Sequence, residues 1–569
     1  MIRLVLDIEA NGLGEVTMTN KGPAKEVNQI WCAVVINADT GDVKTFTQSN
    51  MNHLVPYLNT ADILIGHNIL SFDIPVIRRL LGNLKRPKHG YFDTLVVSRI
   101  MYPDRNNHPL GGNSLECWGK YLKNNKIEYT GGWSAFSNEM LEYCIQDVKL
   151  GCDIYKHQRE FAKNNLKVFQ FEHMVSEILM EQTDRGFGYD LTKGEMLYLS
   201  LLQEKAELED RMRTIFPDKI HYRKSEKTGK DLKPKIETFN PGSRKQIAER
   251  LSEKYGWVPP CTDKGNPKVD ESVLSTLDYP EAKELVKYFD MVKLMGMVED
   301  WNARASNSRD GNIHGYINAQ GAATGRCTHS EPNIAQVSGD HRARELWIPN
   351  RTGFVQLGSD LSGLELRMLA HFMHKYDKGK YADVLLNGDI HTYNQKAAGI
   401  ESRALAKSFI YAYLYGAGDK KISLVLNCSV DQAAKLRIKF QKEIPALAKV
   451  QEEVRFNALK YGTVTLPDGR KVPVRSEHAA LNTLLQGSGA IVSKYWMVLA
   501  DKQLKKLYPG KAYQMAYVHD ELQYAVAADC ADAVGKLVTG CATDAGIRLG
   551  INIPIAAEYK VGSNWAETH

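Results

Sequence analysis

At 569 residues, with 43% hydrophobic and 25% charged side chains, the chain has the make-up of a water-soluble protein of roughly three to five compact units. No apolar run approaches the roughly 20 residues of a membrane helix. The opening Met1-Ile2-Arg3-Leu4-Val5-Leu6-Asp7 meets an acid too early for a signal peptide and lacks the Arg-rich character of a transit segment. A net charge of +6 permits nucleic-acid binding without requiring it, and nine scattered cysteines with no Cys-x-x-Cys read as reduced thiols of a cytoplasmic protein.

In chain order, residues 1 to about 165 read as α/β. Leu4-Val5-Leu6, Ile30 to Ile36 and Ile63-Leu64-Ile65 are strand-like, with a turn cluster at Asn37 to Asp42. Residues 190 to 305 read as mostly helical. Leu197, Leu201, Leu208, Met212 and Ile215 follow one helical stripe, and Leu285, Phe289 and Val292 a second. Between them lies a basic loop, 217–242, closed by the turn Asn240-Pro241-Gly242. From His221 to Lys235 it holds six Lys or Arg against two acids, which fits either a solvated loop or a contact to backbone phosphates. The helix pair fits either a protruding arm or a plain helical subdomain. Farther on, Phe354 to Ser359 is a strand leading into Asp360, residues 403–415 and 479–506 are helical, and Tyr513 to Val526 reads as a β-hairpin with His519-Asp520 near its turn.

The N-terminal acids come in recognisable settings. Asp7 and Glu9 are two apart at a strand, so both point to one face. Asp73 closes Asn68-Ile69-Leu70-Ser71-Phe72-Asp73 after another strand, and Tyr143 and Asp147 stack at i and i+4 on a helix. Four carboxylates converging on one point need divalent cations between them, the composition required for two-metal phosphodiester hydrolysis, with Tyr143 placed to orient the attacking water. These segments resemble the DEDDy 3′→5′ proofreading exonucleases, which implies an RNase H-like fold. Asp93, in Phe92-Asp93-Thr94-Leu95, reads as a structural acid.

Two further acids, Asp360 in Ser359-Asp360-Leu361-Ser362-Gly363-Leu364-Glu365 and Asp520 in Tyr517-Val518-His519-Asp520-Glu521, sit among apolar neighbours, where a carboxylate is costly unless paired or metal-bound. Arg403, Lys407, Tyr411 and Tyr415 step by four, so one helix face carries two cations and then two aromatic rings. That layout complements a nucleoside triphosphate, phosphates at one end and a flat base at the other. Ser362-Gly363-Leu364-Glu365 also fits a capping box.

The run Asp360 to Phe372, Gly388-Asp389-Ile390-His391-Thr392, Lys407 to Asp419, Leu481 to Gln486 and His519-Asp520-Glu521 resembles the family A DNA polymerases, and within them the replicative polymerases of short-tailed bacteriophages. The resemblance implies an α/β multidomain chain: a 3′→5′ exonuclease at 1–165, a linker and thumb at 166–300, palm at 301–375, fingers at 376–481 and palm again at 482–569, the right-hand polymerase layout. It implies that Asp360, Asp520 and the Leu361 carbonyl hold two Mg²⁺, with Mn²⁺ as substitute and Glu521 as a supporting acid. A second pair would lie at Asp7, Glu9, Asp73 and Asp147. Arg403, Lys407, His391, Tyr411 and Tyr415 would contact the nucleotide, and Glu365 would lie under its sugar and exclude a 2′-hydroxyl. Thr324, Arg326, Asn333, Gln336, Asn482, Gln486 and His519 would line primer-template DNA.

Phage relatives carry a large thumb insertion that binds a host thioredoxin. Here Pro217 to Asn240 is short, so a thioredoxin partner is not expected, and a helicase or other accessory factor takes its place as candidate. A monomer acting in the host cytoplasm is expected, with no 5′-nuclease domain ahead of residue 1. Two rivals stay open: a single-subunit RNA polymerase, against which Glu365 and the N-terminal acids speak, and a catalytically dead DNA-binding scaffold.

Overall fold

A computed structural model describes residues 1–12, 18–19, 22–23, 27–104, 108–262 and 264–569. Two units emerge, one of residues 1–188, 308–336 and 348–569, the other of residues 189–307 and 337–347. The helix Leu166–Arg185, expected in the linker-and-thumb stretch 166–300, groups with the first unit.

The first unit starts with β1 (Arg3–Ala10), β2 (Ile30–Asn37), β3 (Val43–Thr47) and β4 (Ile63–Gly66), then α1 (Asp73–Leu81), β5 (Tyr91–Asp93), α2 (Thr94–Met101), α3 (Asn138–Asn164) and α4 (Leu166–Arg185). The sheet order is β3-β2-β1-β4-β5, with β1 antiparallel to β2 and parallel to β4. Strand periodicity divides β1 between two apolar layers. Leu4, Leu6 and Ile8 pack with Ile69, Ile74 and Ile77, whereas Val5 packs with Val34 and with Met140, Cys144 and Val148 of α3. Asp7 and Glu9 continue the Val5 face, which is the reason they lie on the α3 side of the sheet.

Asp93 has the structural role expected of it. Its carboxylate caps α2 through the N–H groups of Leu95 and Val96, and also accepts from Asn68 at 2.9 Å and Leu70 at 3.1 Å. One buried acid thereby fixes the loop that delivers Asp73.

In the second unit α5 (Leu191–Ile215) is followed by β6 (Lys219–Lys224), β7 (Asp231–Glu237), α6 (Arg244–Tyr255) and α7 (Pro280–Asn307). The basic stretch is an antiparallel hairpin rather than a loop. Alternating Ile220, Tyr222 and Ile236 give it strand character, and all three side chains are exposed. Leu201, Leu208, Met212 and Leu285 are buried as their spacing predicts, but Ile215 and Val292 are exposed. Tyr189, Trp301 and Trp347 meet edge to face at this unit's other end.

The rest of the first unit comprises β8 (Tyr316–Asn318), β9 (Thr328–Ser330), β10 (Phe354–Leu361), α8 (Leu364–Asp377), α9 (Ile390–Ala398), α10 (Arg403–Leu414), α11 (Ala480–Leu507), β11 (Ala512–Val518), β12 (Glu521–Ala527), α12 (Ala531–Arg548), β13 (Ala557–Gly562) and α13 (Trp565–Thr568). Strands β11-β12-β10-β13 form an antiparallel sheet. Its apolar side packs on α11 and α12 through Leu357, Leu522, Tyr524, Trp496 and Val538. No described helix is long and apolar enough to cross a membrane.

Glu172 of α4 is fully buried and bound by Lys494 of α11 at 2.9 and 3.1 Å, by Arg470 at 2.5 Å and by Gln320 at 2.7 Å. Burial disfavours its charge, but the Lys494 and Arg470 cations outweigh that and hold the carboxyl at about 2. Breaking such a cluster from one side strands a buried charge, at a cost of about 3–5 kcal/mol. Lys494→Met is therefore expected to lower the urea unfolding midpoint sharply, and Lys494→Met with Glu172→Met to lower it less. Equal midpoints for Lys494→Met and the parent would show that the cluster carries no stability.

Candidate functional site

The N-terminal acids converge. Asp73 opens α1, and its Oδ1 accepts the Ile8 N–H at 3.0 Å, which ties it to β1 between Asp7 and Glu9. Donor atoms of Asp7, Glu9 and Cys144 lie within 4.8 Å of one another. Asp147, one helical turn beyond Tyr143, is 5% exposed, and its Oδ1 has no hydrogen-bond partner.

Burial and mutual repulsion mark this cluster. Asp7 is pushed well above the carboxylate range by burial, then by Asp73, Glu9 and Asp147. Burial, Cys32, Asp147 and Asp73 raise Glu9 to about 8, and burial raises Asp73 to about 7. Carboxylates that resist ionising together, with an orphaned oxygen among them, fit a divalent cation.

Lys126 is the residue that sequence reasoning missed. Its ammonium lies 2.7 Å from Asp147 Oδ2 and donates to the Tyr143 hydroxyl at 2.7 Å. Tyr129 and Trp133 crowd the Tyr143 ring, with centroids at 5.6 and 6.1 Å. Lys126 belongs to an ordinary run of Lys and Asn, so no local pattern announces it. Cys144 shares a helical turn with Tyr143, which was the available signal.

The second set of acids meets at the end of the antiparallel sheet. Asp360 of β10 stands opposite Glu521 of β12, and the Leu361 N–H donates to the Asp520 carbonyl at 3.0 Å. The turn between β11 and β12 is His519-Asp520. His519 takes a left-handed φ of +57°, and Ser493 Oγ holds its carbonyl at 2.7 Å. Asp360 keeps a solvent-facing edge, yet partial burial, Asp520 and Glu521 push it up to about 7. Burial also raises Asp520, against the pull of Arg326.

Glu521 differs from both. Burial would raise it, but His569 at 3.0 Å, Gln523 at 2.6 Å and Trp565 Nε1 at 2.7 Å bring it below its ordinary value. Its oxygens are committed to protein donors, which suits a supporting acid better than a metal ligand.

Around these acids stands the α10 stripe. Arg403 and Lys407 lie close enough to lower the His391 imidazole further once burial has lowered it, and His391 Nδ1 is buried without a partner. Tyr411 and Tyr415 follow, with ring centroids 6.2 Å apart. The Tyr415 hydroxyl donates to Glu365 at 2.8 Å, and Arg326 Nη2 holds the other Glu365 oxygen at 3.2 Å. The capping-box reading of Ser362 and Glu365 fails. Gly363 is the N-cap of α8, no side chain caps the helix, and Glu365 points instead to Arg326 and Tyr415.

The remaining expected residues lie on α11 and in the segment 324–336. A Cβ added at Gly487 would sit 3.1 Å from the Thr324 carbonyl, so glycine lets α11, with Asn482 and Gln486, approach the Thr324-Gly325-Arg326 turn. Asn333 and Asn482 each keep a buried Oδ1 without a partner. Gln336 ends a 3₁₀ turn that begins at Ile334.

Comparison with known proteins supplies an independent line. A family model described as DNA polymerase family A matches residues 218–567. The DNA-directed DNA polymerase of Enterobacteria phage T3 is 31% identical and that of Escherichia phage T7 is 30% identical, each covering 100% of both chains. Both alignments run over 717 residues against 569 here, so those relatives contain stretches this chain lacks. The fold matches the POL domain of Pol1 from M. smegmatis, in complex with DNA primer-template and dNTP, with a TM-score of 0.79 at 19% identity, over 99% of this chain and 96% of that one.

Acids raised in the folded state bind more protons folded than unfolded, so their contribution to stability falls as pH climbs from the ordinary carboxylate range through about 7 to 8. Cations that accept the ionised form reverse this loss. Adding Mg²⁺ is expected to raise the melting temperature by about 2 °C or more beyond its effect near pH 5.5 when the pH is about 8. The same increment at both pH values would contradict the linkage.

Proposed function

The chain belongs to the family A DNA polymerases, and on that premise we propose that it extends a DNA primer with deoxynucleotides on a template and removes primer ends at a second, 3′→5′ exonuclease site. DNA-directed DNA polymerase activity follows from membership. The finer assignments rest on one observation, the two separate convergences of carboxylates at Asp360/Asp520 and at Asp7/Glu9/Asp73/Asp147.

Divalent cations, Mg²⁺ or Mn²⁺ in its place and two per site, held by Asp360, Asp520 and the Leu361 carbonyl in one site and by Asp7, Glu9, Asp73 and Asp147 in the other, supply activation of the attacking oxygen and neutralisation of the leaving group. The chain's own groups do the rest. Arg403, Lys407 and His391 bind the triphosphate and offset charge moving onto the pyrophosphate. Tyr411 packs on the sugar and base. Glu365, fixed by Arg326 and Tyr415, sits where a 2′-hydroxyl would press, which favours deoxynucleotides over the ribonucleotides of an RNA polymerase.

Thr324, Arg326, Asn333, Gln336, Asn482, Gln486 and His519 line the primer-template. Sequence choice is left to base pairing, and the protein reads backbone and groove shape. At the second site Tyr143, held by Lys126, orients the attacking water. The five-stranded sheet with α3 across it supports the RNase H-like assignment. The antiparallel sheet serves as palm, residues 376–481 as fingers and the second unit as thumb. Phage genome replication in the host cytoplasm is the setting that fits the phage relatives, and a monomer is the proposed working form. The short β6–β7 hairpin offers little to a thioredoxin, so a helicase or other accessory factor is the better candidate partner.

Asp520→Ala is expected to cut primer extension by roughly 10³-fold or more while single-strand degradation persists. Asp7→Ala with Glu9→Ala is expected to do the reverse. Loss of both activities in either variant would refute two independent sites. Tyr411→Phe is expected to reduce dideoxynucleotide use by about tenfold or more, measured as the ratio of kcat/KM for dideoxy- and deoxynucleotide. An unchanged ratio would remove Tyr411 from the sugar.

A further inference from the structure

Asp389, just ahead of α9, is the most heavily engaged exposed carboxylate near the nucleotide stripe. It caps α9 by accepting from the N–H groups of His391 at 3.0 Å and Thr392 at 3.2 Å, and it accepts the Thr392 hydroxyl at 2.7 Å. The same carboxylate binds Arg403 at the start of α10 in two places, Nε to Oδ2 at 3.0 Å and Nη2 to Oδ1 at 3.1 Å. Arg403 in turn holds the Asp389 carboxyl well below the usual range.

The edge used matters. A guanidinium carries five N–H donors in a planar fork. Asp389 takes the Nε and Nη2 side, which leaves Nη1 and the second Nη2 hydrogen as a free edge for phosphate oxygens. Arg403 can therefore keep its carboxylate while it takes a phosphate. His391, whose backbone N–H the same carboxylate holds, brings its buried and unpartnered Nδ1 into the field of Arg403 and Lys407. One acid thus sets the relation between two helices that each deliver a triphosphate contact.

We propose that Asp389 is a positioning residue of the nucleotide site, fixing the Arg403 fork and the start of the His391 helix so that both reach the triphosphate together. This rests on the polymerase reading of the cleft. The opposite effect is conceivable on charge alone, because an acid beside phosphates repels them. Removing the charge would then tighten nucleotide binding, so the sign of the change separates the two.

Asp389→Asn keeps an oxygen for the helix cap but loses the charged, two-point grip on Arg403. In single-nucleotide primer extension, KM for the nucleotide is expected to rise about five- to tenfold, with a far smaller change in kcat. The primer-template Kd and the melting temperature stay at parental values. Asp389→Glu, which restores the charge but caps poorly, is expected to recover part of the KM. In an Arg403→Ala background Asp389→Asn should add less than about twofold. An unchanged or lowered KM in Asp389→Asn, or full additivity with Arg403→Ala, would overturn the proposal. Parental protein that extends no primer would instead overturn the polymerase reading.

Discussion

Bringing like charges together is the constraint on which this structure turns. Carboxylates separated along the chain are forced into shared sites, where burial and mutual repulsion push Asp7 well above the ordinary carboxylate range and raise Glu9 to about 8 and Asp73 and Asp360 to about 7. Such an arrangement persists only if rigid elements impose it. Strand β1 does so through its pleat, β10 and β12 through antiparallel register, and α3 by packing Met140, Cys144 and Val148 against the sheet face that carries Asp7 and Glu9. The apolar layers on both sides of β1 supply the opposing stability, at about 1.5–3 kcal/mol for each fully buried Leu or Ile.

Around the acids, several charged groups are already held by partners. Lys126 lies on Asp147 and Tyr143, Arg326 and Tyr415 on Glu365, Asp389 on Arg403, and His569 on Glu521. Each pairing limits the rotamers of a long or polar side chain before any ligand arrives, so less entropy is lost when one does. The pairings also balance the field. Arg326 draws down Asp520, which burial would otherwise raise further.

How much of this the sequence disclosed follows from the range of each signal. The acids of the catalytic candidates were legible because each sits in a short segment with its own pattern: Asp-x-Glu in a strand, an i, i+4 pair at Tyr143 and Asp147, a hairpin turn at His519-Asp520. Strands β1, β2, β4 and β10 and helices α10 and α11 were legible from periodicity and apolar runs. Lys126, Glu172, Lys494 and Asp389 were not, since each gains its role from a partner on another element, and nothing in the neighbouring residues records that partner. The capping box that Ser362 and Glu365 also fitted does not form, for a related reason. Ser-x-x-Glu is a local pattern, but Arg326 and Tyr415 compete for the carboxylate and win, and Gly363 starts the helix instead. The basic stretch at 219–237 was taken as a loop because its Lys-rich composition masked the alternation of Ile220, Tyr222 and Ile236.

The two acid sites also differ in exposure. Asp73, Asp147 and Glu9 are between 2% and 8% exposed and Asp7 is half-buried, whereas Asp360 is open along one edge and Asp520 is half-buried. On the proposed polymerase reading, the acids at Asp360 and Asp520 meet a duplex end and a triphosphate that bring many charges of their own, so they need an open setting with a cation already oriented, as Asp389 orients Arg403. On the proposed exonuclease reading, the N-terminal acids meet a slimmer single-strand end with fewer phosphates, which more deeply buried acids can accommodate. Deeper burial strengthens every interaction with an ionised carboxylate but raises the cost of ionising it without a cation. The N-terminal site should therefore be the more demanding of the two in its need for a cation, a difference that follows from burial alone and not from the number of acids in each.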